Sequence, residues 1–134
     1  MAYTEKSLLK ASKKDYMNKE MLEFFKDLLI KQKKETLAHI DEVKNEISHM
    51  EQEADDLDRA TIEQDRMLKL RIIERETFLL HKIDDAMERI ADGTYGYCEE
   101  TGEPIGIKRL LLRPTATFSI EAEEFQEEKE RHEE

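Results

Sequence analysis

The sequence of 134 residues is poor in residues that cross-link chains or interrupt helices, with one Cys, 2 Pro, 4 Gly and no Trp. A single cysteine excludes an intramolecular disulfide, and by itself it cannot complete a tetrahedral zinc site. Apolar runs reach only three residues, as at 78–80 and 110–112, whereas a transmembrane helix needs about 20. The lysine-rich start has no apolar core of signal-peptide length. We therefore expect a cytoplasmic protein that does not span a membrane.

Basic residues are also in deficit, because 33 Asp and Glu against 22 Lys and Arg give a net charge of −11. Sequence-independent DNA or RNA binding rests on neutralising phosphates with Lys and Arg, so this balance argues against direct nucleic-acid binding. A protein partner with a basic surface fits it better. The sequence has no Walker loop, dinucleotide fingerprint, nucleophile elbow or HExxH motif. It is therefore not expected to be an enzyme or to hold a cofactor stably.

Between Asn18 and Gly93 there is neither glycine nor proline, which predicts long helices because both residues are disfavoured in helix interiors. Asn18 is suited to cap the first helix and Gly93 to end the second. Apolar or tolerated residues recur mostly at steps of three and four, as helices that pack along their length require. The first stripe comprises Leu22, Phe25, Leu29, Gln32, Thr36, Ile40, Val43, Ile47, Met50 and Ala54. The second comprises Ile62, Asp65, Leu68, Ile72, Leu79, Ile83, Ala86 and Ile90.

An acidic break at 54–60 separates the two stripes, and its aspartates suit turns and helix caps. The break predicts an antiparallel hairpin within one chain, hence a monomer, with arms of about 50 Å at 1.5 Å per residue. One continuous helix that pairs between two chains is the alternative. The predicted organisation is an N-terminal segment at 1–17, a coiled-coil hairpin at 18–92 with its tip at 54–60, and a globule at 93–134.

The globule begins with a turn-rich segment, since all four glycines and both prolines lie between Gly93 and Pro114. A short acidic helix is expected after it, with Phe118, Ala122 and Phe125 on one side. The residues expected to form the core of the globule are Tyr95, Tyr97, Ile105, Ile107, Leu110, Leu111 and Phe118.

The tip at 55–60, with the acids Asp55, Asp56 and Asp58, forms the first candidate site. The acids are explained either as turn and capping residues or as charge that a hairpin inserts into a cleft, where a bound cation or basic side chains would meet it. A second candidate is a cluster of basic residues that either pairs with neighbouring acids, holds a polyphosphate or docks on an acidic partner. Its members are Arg71, Arg75, Lys82, Lys108, Arg109 and Arg113.

A third candidate is a frame with the spacing of a zinc ribbon, formed by Cys98, Thr101, Ser119 and Ala122. Only the cysteine of this frame is a good zinc ligand, so the sequence predicts no structural zinc. Cys98 is interpreted either as a small packed residue or as a redox-active thiol. Its acidic neighbours Glu99 and Glu100 are expected to raise the pKa of the thiol.

Several motifs taken together resemble the DksA/TraR family of bacterial RNA polymerase-binding transcription factors. They read Tyr-Gly-Tyr-Cys at 95–98, Ile-Gly-Ile-Lys-Arg-Leu at 105–110, Arg-Pro-Thr-Ala at 113–116, Leu-Asp-Arg-Ala at 57–60 and Tyr-Met-Asn at 16–18. The resemblance extends from about Tyr16 to Glu128. It implies a mainly α fold, in which a long antiparallel coiled-coil hairpin projects from a small globular part. That part would combine a degenerate zinc-ribbon-like segment with a C-terminal helix.

The resemblance also implies a function. The hairpin would enter the secondary channel of RNA polymerase and, with the effector ppGpp, regulate initiation in the stringent response. Ribosomal RNA promoters would be repressed and some biosynthetic promoters activated. A transcript-cleavage factor of the same channel and a coiled-coil adaptor without tip activity are the alternatives.

Particular residues match positions to which the family assigns roles. Asp55, Asp58 and Ala60 match active tip residues, and Arg75 matches a polymerase-docking position. Leu79, Lys82 and Arg113 match the ppGpp pocket, in which a further family lysine corresponds to Glu123 here. Typical members hold zinc with four cysteines, so the frame described above is typical of low-cysteine, zinc-independent members.

Overall fold

A computed structural model describes residues 3–52 and 59–133. In these ranges the chain is mainly helical and forms no β-strand, which confirms the predicted fold class. The helices are α1 (Glu5–Lys10), α2 (Lys19–Gln52), α3 (Arg59–Asp92), α4 (Ile107–Leu112) and α5 (Ile120–Glu133), with a 3-10 turn at Lys13–Asp15. None of the described helices is both long enough and apolar enough to cross a membrane.

The predicted ends of the two long helices are confirmed. The side-chain Oδ1 of Asn18 accepts a hydrogen bond of 2.9 Å from the backbone N–H of Met21, in the first turn of α2. At the other end, Gly93 follows the last residue of α3 with a φ of 86°. This left-handed conformation costs glycine little, and it lets the chain turn away from the helix.

One compact unit comprises residues Ile30–Asp84, in which α2 and α3 pack against each other as an antiparallel hairpin. Ion pairs record the register, because their members advance along α2 while they retreat along α3. These pairs are Lys33–Asp84 at 2.8 Å, His39–Glu76 at 3.7 Å, Glu46–Lys69 at 3.3 Å and Glu51–Arg66 at 3.6 Å. Among the described residues of this unit, the buried ones are Thr36, Ile40, Val43, Ile62 and Ile83.

Part of the predicted stripe on α3 is wrong by one residue. Asp65 and Leu68 were expected to face the other helix, but both are exposed, and Leu68 retains 56% of its accessible surface. Arg66 and Lys69 are the partly buried residues of this stretch. The long stems of such side chains cover apolar surface while their charged ends reach solvent and acidic partners. Lys69 therefore takes the partly buried position that its apolar neighbour Leu68 was expected to take.

A second compact unit contains the chain up to Leu29 and from Asp85 onward. Its buried core comprises Leu8, Met21, Phe25, Leu29, Ala86, Tyr95, Cys98, Ile105, Leu110 and Ala122. The predicted burial of Tyr95, Ile105 and Leu110 is confirmed. The prediction is wrong for Tyr97, which is exposed, whereas Ile107, Leu111 and Phe118 are half-buried. Tyr97 instead meets the ring of Tyr16 edge-on, with the ring centroids 5.7 Å apart.

Two tyrosine hydroxyls satisfy backbone groups of the turn-rich segment. The fully buried Tyr95 donates a hydrogen bond of 2.7 Å to the carbonyl of Pro114. Tyr16 donates to the carbonyl of Gly96 at 2.6 Å and accepts from the N–H of Gly106 at 3.0 Å. Burial raises the pKa of both hydroxyls, more strongly at Tyr95. The hydroxyls therefore stay protonated and can donate these bonds.

Gly96 occupies the tightest position among the glycines. Its φ is 91°, and a Cβ built there would lie 2.8 Å from Cγ of Met17. Gly102 has a φ of 75° but no atom within 4 Å of a built Cβ. Both positions therefore have a backbone conformation that is strained for any residue with a Cβ, but they differ in the space available to that Cβ.

We predict that Gly96→Ala lowers the free energy of unfolding by about 2–4 kcal/mol, since about 1–2 comes from the left-handed backbone and the rest from overpacking against Met17. Gly102→Ala is the matched control and is expected to cost only the backbone part. Urea unfolding monitored by circular dichroism measures both. Equal losses would show that the contact with Met17 does not constrain this position.

Candidate functional site

The predicted tip lies largely beyond what the structure describes. Asp55 and Asp58 lie outside the described residues, whereas Ala60 is the second residue of α3 and is exposed. The described parts of α2 and α3 end at Gln52 and begin at Arg59. Of the break predicted at 54–60, residues 54–58 lie outside the described residues, and Arg59 and Ala60 belong to α3.

A second candidate surface lies on α3, where Arg71, Arg75, Phe78 and Lys82 follow one another at steps of four, three and four. Residues at these steps share one side of a helix, and all four are exposed, with Phe78 retaining 60% of its accessible surface. Leu79 is half-buried beside them. The sequence analysis missed Phe78, although its spacing from the basic residues was the signal that could have found it.

A third candidate surface is a groove of about 340 Å³ in the unit that contains α4 and α5. It is lined by Ile105, Gly106, Lys108, Arg109, Leu112, Arg113 and Ile120. Leu112 and Ile120 retain 79% and 56% of their accessible surface. The groove thus combines exposed apolar side chains with three cations. Of the residues assigned to ppGpp by resemblance, Arg113 lies here, whereas Leu79 and Lys82 belong to the other unit.

Glu123 of α5 pairs with two arginines of this groove. One carboxylate oxygen accepts a hydrogen bond from Arg109, and the other lies 3.5 Å from Nη1 of Arg113. Nε of Arg109 also donates to the carbonyl of Phe118 at 3.0 Å. The side chain of Arg109 is 13% exposed and that of Arg113 is 65% exposed. Arg109 is therefore held at two points, whereas Arg113 is held loosely at one.

The four positions of the zinc-ribbon frame do not fit a zinc ion. Cys98 supplies the single thiol, and Ala122 has no donor atom. The hydroxyl of Ser119 accepts a hydrogen bond from the N–H of Ala122 at 3.2 Å, as a helix cap does. The hydroxyl of Thr101 lies 3.3 Å from the N–H of Glu103, in hydrogen-bond contact with it. Within residues 3–52 and 59–133, no three His, Cys, Asp or Glu side chains converge on a metal-sized site.

The predicted rise in the pKa of Cys98 is wrong. Burial opposes ionisation of the thiol, but the N–H of Ser119, the hydroxyl and N–H of Thr101 and the N–H of Glu100 together lower the pKa to about 7. Hydrogen bonds to a sulfur stabilise the thiolate. The acidic neighbours Glu99 and Glu100 are exposed, and Glu99 lies 3.9 Å from Arg89. Backbone donors, which the sequence pattern does not reveal, therefore decide the pKa.

Comparison with known families gives two matches that together span most of the chain. The family described as DnaK suppressor protein DksA, N-terminal domain, matches residues 21–90. The family described as prokaryotic dksA/traR C4-type zinc finger matches residues 93–128. The second match covers the frame in which three of the four ligand positions lack cysteine.

Individual proteins are similar to the chain over most of its length. The RNA polymerase-binding transcription factor DksA of Caulobacter vibrioides is 50% identical over 120 residues, which are 87% of this chain and 82% of that protein. The protein of the same name from Escherichia coli K12 is 36% identical over 121 residues, covering 87% and 78%. The structure of transcription factor DksA2 from Pseudomonas aeruginosa superposes with a TM-score of 0.87 at 50% identity, covering 96% of this chain and all of that one.

The thiol predicts a pH dependence of stability. It ionises at about pH 7 in the folded chain and at about 8.5 in an unfolded one. The folded state therefore binds fewer protons between these values, and the free energy of unfolding is expected to rise with pH from about 7 to about 9. This contribution is lost as the pH falls through the folded pKa.

Urea unfolding of the reduced protein at about pH 6, 7.5 and 9 measures this dependence, and Cys98→Ser is the control because its hydroxyl does not titrate in this range. The rise should be smaller in the variant. Parallel pH profiles of the two proteins would contradict the lowered pKa.

Proposed function

Because the chain belongs to the DksA family of RNA polymerase-binding transcription factors, we propose that it binds RNA polymerase in its secondary channel and, with ppGpp, regulates initiation. The proposed outcome is repression of ribosomal RNA promoters and activation of some biosynthetic promoters in the stringent response. The observation that carries this proposal is 50% identity to a named relative over 87% of the chain. A partner of this kind is cytoplasmic, and the proposed role requires no catalytic activity of the chain itself.

The proposed mechanism assigns the perturbation of the polymerase active centre to the tip. Each long helix has 34 described residues, which correspond to about 50 Å at 1.5 Å per residue. That length suits an element that reaches into a channel. The carboxylates of Asp55 and Asp58 would then act on the region of the catalytic magnesium, since Mg²⁺ sites commonly use one or two carboxylates.

The proposed docking surface is the exposed side of α3 that carries Arg75. Arg71 and Lys82 add cations, and Phe78 adds apolar area. Aromatic and arginine side chains are enriched among residues that dominate binding energy. Cations on this otherwise acidic chain suit an acidic surface of the polymerase. Direct DNA binding is not part of the proposal, and the chain is proposed to act as a monomer.

We further propose that the protein needs no zinc. The support is the ligand frame, in which one thiol remains and the two hydroxyls make local hydrogen bonds. Burial of Tyr95, Ile105 and Leu110 is proposed to supply the stability that a bound zinc ion would otherwise provide, because fully burying a large apolar side chain is worth about 1.5–3 kcal/mol. Arg113, Leu79 and Lys82, which match family positions of the ppGpp pocket, are proposed to contribute to effector binding when the chain is bound to polymerase.

The tip mechanism predicts that Asp58→Asn leaves polymerase binding largely intact and abolishes repression of a ribosomal RNA promoter in vitro. Removing one negative charge at the tip should not disturb docking of the polymerase on the exposed side of α3. Asp41→Asn is the matched control, since Asp41 is an exposed aspartate of α2 away from the tip. Repression by the Asp58 variant at the wild-type level would overturn the tip mechanism.

Assays with the same purified proteins distinguish the proposed regulator from a transcript-cleavage factor and from a coiled-coil adaptor. Cleavage of RNA in a backtracked complex is expected to be absent, and its presence would favour a transcript-cleavage factor. Binding to polymerase without any effect of the wild-type chain on initiation would favour an adaptor.

Zinc independence predicts that the purified protein contains far less than one zinc per chain and that a chelator leaves its melting curve unchanged. The positive control is the triple variant Thr101→Cys, Ser119→Cys and Ala122→Cys, which restores four thiolates and is expected to gain zinc and chelator sensitivity. Stoichiometric zinc in the wild-type protein, or loss of its fold with chelator, would contradict the proposal.

A further inference from the structure

Two of the cations that line the groove beside α4 already have an anionic partner. Lys108, Arg109 and Arg113 line the groove, and the carboxylate of Glu123 bridges the two arginines. Glu123 is 35% exposed, so the pair is open to solvent on one side. A carboxylate in this position provides the charge that an anionic ligand of the groove would otherwise supply.

The two arginines differ in their freedom to accept another partner. Arg109 is nearly buried, donates to the carbonyl of Phe118 and pairs with Glu123, so it links α4 to α5 and to the residues before α5. Arg113 is 65% exposed and lies 3.5 Å from the carboxylate. Replacing Glu123 by another anion therefore costs less free energy at Arg113 than at Arg109, because an exposed ion pair is worth only about 0.2–1 kcal/mol.

We propose that Glu123 is an internal counterion of this groove, which a phosphate-bearing ligand must displace from Arg113 in order to bind. Phosphate suits the site because guanidinium groups bind its oxygens through paired hydrogen bonds, and Lys108 adds a further cation at the groove. The apolar side chains of Leu112 and Ile120 offer contact area for the remainder of a nucleotide. Glu123 then sets the ligand affinity, and this role rests on the proposed function with ppGpp.

The test is the ppGpp concentration that gives half-maximal shortening of the open-complex lifetime at a ribosomal RNA promoter, with polymerase and the full chain. Glu123→Gln keeps a hydrogen-bond acceptor for Arg109 and removes the competing charge. We expect the half-maximal concentration to fall about fivefold, which corresponds to roughly 1 kcal/mol. Glu127→Gln, which removes the same charge one turn further along α5, is expected to cause no such shift.

A double-mutant comparison isolates the arginine. When Arg113→Ala is added to the wild-type protein and to Glu123→Gln, the two proteins should have the same half-maximal ppGpp concentration. A fivefold shift that persists without Arg113, or equal shifts for Glu123→Gln and Glu127→Gln, would overturn the proposal. Circular dichroism checks the fold, and Glu123→Asp is the second variant. Its shorter side chain withdraws from Arg113 and should shift the response in the same direction.

Binding of inorganic pyrophosphate to the isolated chain at low salt, measured by calorimetry, separates this inference from the proposed function. If the wild-type protein shows no response to ppGpp on polymerase, the proposed function fails. The pyrophosphate measurement then still tests whether Glu123 competes with a phosphate ligand for Arg113. Tighter pyrophosphate binding by Glu123→Gln than by Glu127→Gln supports the internal counterion. Equal binding by the two variants overturns it.

Discussion

Buried hydroxyl groups are the constraint on which the turn-rich segment depends. This segment forms a single bridge between Tyr97 and Pro104 in place of a sheet, so its backbone polar groups need other partners. The hydroxyl of Tyr95 satisfies Pro114, and that of Tyr16 satisfies both Gly96 and Gly106. An unpaired buried carbonyl would cost about 1–3 kcal/mol. These hydrogen bonds hold the turn-rich segment in place, a role that a bound metal ion would otherwise fill.

The hairpin unit solves a different problem, which is to specify register with few apolar residues. Glu46 and Glu51 of α2 meet Lys69 and Arg66 of α3 at positions where coiled coils usually bury aliphatic side chains. The hydrogen bond with Glu46 is the main cause of the raised pKa of Lys69. Exposed pairs add little stability, but a shift of register would separate all of these ion pairs at once. The charges therefore favour one alignment of two helices whose apolar contacts alone would discriminate poorly.

Local signals predicted the parts of the structure that local forces determine. The absence of glycine and proline, the cap at Asn18 and the stop at Gly93 located both long helices, since each acts within a turn or two of its own position. The wrong predictions concern burial and pKa values that depend on residues far away in the sequence. Arg66 and Lys69 replaced Asp65 and Leu68 on the inner side because acids of α2 receive them. The thiol of Cys98 has a lowered pKa because the fold brings the N–H of Ser119 to it. The groove of Arg113 was equally hidden, although its cations were visible as a cluster.

Charge connects these features to the kind of ligand that the protein accommodates. A chain with a net charge of −11 repels phosphates at long range, but screening limits this effect to about 8 Å at physiological salt. Within that distance the cations beside α4 dominate, and Glu123 offsets them in part. A phosphate ligand is thus expected to bind the isolated chain weakly, most detectably at low salt, and cations supplied by a basic partner would raise its affinity. The same acidity favours approach to a basic protein surface, so partner and phosphate ligand are expected to bind more tightly together than either does alone.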